Sequence, residues 1–444
     1  MSQAHGVDVE AYLRGEMVLH FRRITLTQRR TDTPIVFSGP GQVHLDKGRL
    51  QYVIYHTGVA DEASRHMMLS TAGQAGELVH ENSLFDFEGV DVAGKTWVAE
   101  GVDASGGDYR FEYCVVEGSI EVLSSHHELS MTRELSLHQI YFDDPHFPSP
   151  HTPLSPGFEF VCGGSSITIT KGESGCDVSV SGGNLNERFS RAIVKTLSVL
   201  GGVRLQLGVT EKIWDGKSII DLYSRDIGLS NQQLFPPVKI PYRCPSDFIA
   251  SIFNLLVGFF EHDGAIYYDN WNKLNRAWQT GLESTALNVS VCIEGVLKAY
   301  FEDLGTDRDF AELAKQTMPT VMKLDVDNRI KTLLSSCLGG SGNFKPKTAL
   351  RALKEAGDIS PNLAGKWNKL RSETAHAVVG GEAREDWQRT VDLTFASIKL
   401  FYEILFLIVG YAGERIDYES RGFPSGLRSE QNLGGIALDN DSSA

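Results

Sequence analysis

The chain has 444 residues, 41% of them hydrophobic and 22% charged, which is enough for real cores and too long for one ordinary domain. Its formal net charge of −15 excludes a protein that coats nucleic acid or an anionic membrane through its overall field, so any nucleic-acid site must be a local basic patch. The six cysteines (Cys114, Cys162, Cys176, Cys244, Cys292 and Cys337) include no C-x-x-C pair, which fits neither a disulfide framework nor a zinc module.

Residues 1–10 are polar and lack an apolar signal core. The most apolar late stretch, 404–412, falls well short of the ~20 residues that a membrane span needs. The expectation is a cytoplasmic chain with no membrane partner. From residue 17 to about 224 the pattern is mostly period two. Segments 17–26, 49–56, 109–116, 119–123, 158–162, 166–170 and 177–180 read as strands, rich in β-branched and aromatic residues. Ser38-Gly39-Pro40-Gly41, Asp46-Lys47-Gly48 and the stretches 103–107 and 172–175 read as turns. Many short strands at this spacing predict an antiparallel, sandwich-like or barrel-like region.

One helix interrupts it. Residues 186–200 carry Phe189, Ile193, Val194, Leu197 and Leu200 at helical spacing, stop at Gly201-Gly202 and lead into a strand-like 203–209. The proline-rich stretch 143–156 reads as an extended loop and a candidate division of the β region. Residues 234–245, with Pro236, Pro237, Pro241 and Pro245, read as the main linker, because the residue before a proline disfavours helix.

After Ser246, a candidate N-cap, the period changes to 3.6. Helical pattern covers 248–259, 271–304, 309–317, 327–337, 347–356, 364–377 and 384–409. The predicted class is α+β with two segregated regions. Residues 1–233 form a β-rich regulatory domain, 234–245 a linker, 246–419 an all-helical domain and 420–444 a flexible tail.

The candidate chemistry lies late in the helical domain. Arg371 and His376 set a permanent cation near a group that titrates close to neutrality, a pairing suited to acid–base work on a phosphodiester. Lys345, Lys347, Arg351, Lys354, Lys366 and Lys369 precede them, making the one sustained basic stretch of the chain, where a phosphate backbone would be attracted. The alternative for such a run is a solvated helix face. Five residues advance about 500° around a helix, so the pair does not stack on one face. It converges on one phosphate only near a frayed helix end or in a cleft shared by two chains.

The stretch Leu370-Arg371-Ser372-Glu373-Thr374-Ala375-His376 sits on the penultimate helix of an all-helical region and is followed by a long apolar helix. In this it resembles the HEPN superfamily, whose mark is Arg-x(4–6)-His with a polar residue after the Arg. Ser372 fills that polar position, in place of the commoner Asn or Asp. The helix containing Cys292-Ile293-Glu294-Gly295 is similar to an earlier core helix of these domains. With the β-rich front half, the whole resembles ApeA-like anti-phage proteins of bacteria.

The resemblance implies a metal-independent endoribonuclease, active as a homodimer, with no cofactor. His376 would move protons for attack of a 2′-OH on the adjacent phosphate, and Arg371 would hold that phosphate. Ser372 and Glu373 would support the pair, and RNA would be the substrate. The β region would respond to a phage-derived trigger. A second reading keeps the helical domain as a non-catalytic dimerisation scaffold. His126-His127, and Asp143-Asp144 with His146 and His151, lack tight metal-ligand spacing and read as surface or loop residues.

Overall fold

The computed structural model describes residues 3–4, 7–56, 80–104, 114–128, 137–142, 158–171, 176–182, 186–214, 216–225, 234–239, 246–340, 342–375 and 384–427. The chain divides into two compact units. One comprises Met1–Val194, Leu205–Ser230 and Tyr242–Asn254, the other Lys195–Arg204, Asn231–Pro241 and Leu255–Ala444.

The first unit is an antiparallel β structure. Its strands are β1 (Gln3–Ala4), β2 (Val7–Asp8), β3 (Val18–Gln28), β4 (Val36–Asp46), β5 (Arg49–His56), β6 (Phe85–Asp91), β7 (Thr96–Val102), β8 (Cys114–Ile120), β9 (Val122–Glu128), β10 (Leu137–Phe142), β11 (Phe158–Cys162), β12 (Ser165–Lys171), β13 (Cys176–Ser181), β14 (Leu207–Trp214) and β15 (Lys217–Tyr223). Among the described residues β3 to β15 join one 13-stranded ladder, ordered 11-12-13-10-14-15-9-7-6-3-4-5-8. The sandwich-like region thus takes the form of a single sheet that curls on itself.

Alternation drives the curl. Phe21, Ile24, Leu26, Val43, Tyr52, Ile54, Phe87, Val116, Leu123 and Ile220 all point to one continuous core. The free edge, β8, comes back against the end of β7: Asp103 Oδ1 accepts from the Ser119 amide at 2.6 Å, and the Tyr52 hydroxyl donates to the Asp103 carbonyl at 2.6 Å. A side chain at Gly118 would lie 1.9 Å from that carbonyl, so only glycine lets the two strands approach. A short helix, α1 (Val9–Leu13), adds Val9 and Tyr12 to the core. Arg225 lies over the Tyr12 ring at 4.8 Å and donates to the Tyr12 carbonyl at 3.0 Å.

Several expectations need correction here. Ser38-Gly39-Pro40-Gly41 is no turn but the middle of β4. Phe21 pairs with Gly41 and Ile24 with Gly39, so Pro40 faces both Arg22 and Arg23 across a bulge, where its missing N–H costs no ladder bond. A Cβ at Gly39 or Gly41 would fall 2.1 or 2.3 Å from a carbonyl oxygen of β5, so the glycines serve the curvature rather than a reversal. Segment 119–123 is likewise not one strand. The chain bends at Glu121, leaving β5 as its partner and joining β7 and β15.

The predicted interrupting helix is α2 (Glu187–Gly201), where the Asn186 side chain accepts from the Phe189 amide at 2.8 Å. Asp177 on β13 is an outlier. One of its carboxylate oxygens is buried without a hydrogen-bond partner, and burial pushes its carboxyl up to about 6 against a bond from Ser179. The fold therefore favours the neutral acid. That contribution is full below the unfolded pKa near 4 and is lost as pH rises through about 6. Asp177→Asn should raise unfolding stability by about 3 kcal/mol at pH 7.5 and by only about 1 kcal/mol at pH 4.5, measured by denaturant melts.

The second unit is helical: α3 (Ser246–His262, its last turns only), α4 (Ala265–Thr280), α5 (Leu282–Tyr300), α6 (Glu302–Gly305), α7 (Arg308–Met322), α8 (Asn328–Gly339), α9 (Pro346–Glu355), α10 (Pro361–Ala375) and α11 (Arg384–Val409). The predicted run 271–304 is cut at Gly281, whose φ of 124° lies outside the helical region. The core is lined by Tyr267, Trp271, Leu274, Ile293, Val296, Trp367, Leu370, Phe401 and Leu405.

Residues 234–239 do not behave as a free linker. The Phe235 ring meets Trp278, Phe395, Tyr418 and Phe423 at 5.1, 5.0, 5.4 and 5.2 Å. The hydroxyls of Tyr402 and Tyr418 donate to the carbonyls of Phe235 and Pro236. Burial pushes both phenols up, so they stay neutral donors. Residues 420–427 also fold back: β16 (Arg415–Ile416) pairs with β17 (Ser425–Gly426), and Phe423 joins the aromatic cluster. No helix of the described residues is long and apolar enough to cross a membrane.

Candidate functional site

Helix α10 starts at Pro361, a favoured first-turn residue, and buries Leu363, Ala364, Trp367 and Leu370 on one face. Arg371 follows the last of these and so emerges at the flank of the buried stripe, half-exposed. Its Nε donates to Glu294 Oε1 on α5, an ion pair spanning 77 residues of sequence. Its guanidinium also lies 5.9 Å from the centre of the Trp367 ring. Trp367 is fully buried and donates from Nε1 to the Ser290 carbonyl of α5 at 3.4 Å. The Glu294 carboxylate raises the Arg371 pKa further, so the cation is permanent.

His376 lies outside the described residues, as do residues 377–383. The last described residue of α10, Ala375, adjoins it in sequence. Glu373 pairs with Arg389 on α11, which ties it to the neighbouring helix, and Ser372 is exposed. The candidate basic residues divide. Lys366 donates to Glu419 at 2.7 Å and is held within the fold. Lys369 on α10, and Arg351 and Lys354 on α9, are exposed, and none of the three is in an ion pair among the described residues. No family model, curated protein or solved structure matches the chain.

Other side chains with chemical potential are accounted for by packing. Cys292 is buried, its thiol donates to the Asn270 carbonyl at 3.2 Å, and burial pushes it up to about 12, where it is no nucleophile. His127 makes a 3.1 Å hydrogen bond with Ser125. Asp143, Asp144, His146 and His151 lie outside the described residues. Among the described residues no group of three or more His, Cys, Asp or Glu side chains is placed to hold a metal. Trp271 and Trp367 are fully buried core residues and Trp278 is half-buried in the aromatic cluster, whereas Trp387 on α11 is 39% exposed.

The sequence reading named Glu294 only as part of an earlier helix and missed its pairing with Arg371. No local signal carries that pairing, because it depends on how α5 and α10 pack. The site as described is one arginine, fixed by a carboxylate and an indole and open to solvent on one side. Such a group binds and orients an anion. Alone, it does not transfer protons.

Proposed function

We propose that the chain is a bacterial anti-phage defence protein of the abortive-infection type, whose helical unit is a HEPN-type endoribonuclease acting as a homodimer. The observation that carries this reading is Arg371, a permanent cation presented half-exposed at the end of α10 and pre-oriented by Glu294 and Trp367. His376 follows five residues later in sequence. In the proposed reaction His376 removes the proton of a ribose 2′-OH, the alkoxide attacks the adjacent phosphorus, and the 5′-oxygen leaves with a proton returned to it. The products are a 2′,3′-cyclic phosphate and a 5′-OH. Arg371 binds the non-bridging oxygens, whose charge grows as the attacking bond forms. Lys369, Arg351 and Lys354 draw in the RNA backbone, and the β region controls the nuclease through a phage-derived trigger.

A second reading keeps the helical unit as a dimerisation scaffold. It is favoured by the same ion pair, because Glu294 balances the Arg371 charge within the fold. Incubation of the full chain with mixed RNA separates the two. The nuclease reading expects cyclic-phosphate ends, no cleavage at a 2′-deoxy position, and a fall of roughly 10²–10⁴-fold in His376→Ala. Cleavage indifferent to His376 removes the assigned mechanism.

A further inference from the structure

No further inference is drawn: the strongest candidate, the open groove of about 630 Å³ that Met318 and Met322 of α7 line with Leu338 of α8, is an exposed apolar surface, and nothing in the structure shows what covers it.

Discussion

If the helical unit is the proposed nuclease, Arg371→Ala should lower RNA cleavage by roughly 10²–10³-fold while leaving the fold in place, because in that reaction the side chain stabilises charge in the transition state and it contributes little to packing. The Arg371–Glu294 pair is about one-third exposed on both sides, so its loss should cost less than about 1 kcal/mol of stability. A thermal melt close to wild type, together with the loss of cleavage, is the expected pair of results. Arg371→Lys should recover little. An ammonium cannot hold the Glu294 carboxylate and a phosphate with one planar fork, nor stack on Trp367 as a guanidinium does. Glu294→Gln keeps an acceptor for Nε and removes the competing charge, so cleavage should change by no more than about 10-fold. Full activity in Arg371→Ala would sink the site assignment outright. A melt lowered as much as the activity would reassign the pair to structure.

Phe235→Ala should destabilise the helical unit by about 3 kcal/mol, roughly 10 °C in Tm, monitored by far-ultraviolet circular dichroism. Four aromatic rings surround this one side chain at 5.0 to 5.4 Å, and they come from α4, from α11 and from two positions after it. Truncation opens a cavity against rigid neighbours, which relax little and lose ring–ring contacts worth some 0.5–1.5 kcal/mol each. It also weakens the seat of Phe235 and Pro236, whose carbonyls accept from Tyr402 and Tyr418. A free linker at this position predicts no change in Tm.

Periodicity carried much of the fold. The strands at 49–56 and 158–162 and the helix at 384–409 have the bounds read from the sequence, because alternation and 3.6-residue spacing are local properties that a chain displays before it folds. The errors cluster where a local rule met a tertiary demand. Gly39-Pro40-Gly41 has the composition of a turn, yet close approach to β5 makes it a bulged strand. Prolines 236 and 237 read as a linker, yet Phe235 beside them is an anchor. Gly281 broke one predicted helix into two. In each case the residue type was informative about backbone conformation and silent about what lay across from it.

The candidate site divides along the same line. The sequence by itself determined that the chain has a β-rich front and a helical back, that its one sustained basic stretch lies between 345 and 369, and that Arg371 and His376 follow that stretch five residues apart. These follow from spacing and charge along the chain. Only the tertiary structure decided which of those charges remain available. Lys366 is taken by Glu419, Glu373 by Arg389, and Arg371 is fixed by a glutamate 77 residues away, while Lys369, Arg351 and Lys354 stay exposed. The physical reason is range. Hydrophobic period and helix propensity act over a few residues. An ion pair depends on which helices pack together, and that is set by burial summed over the whole unit.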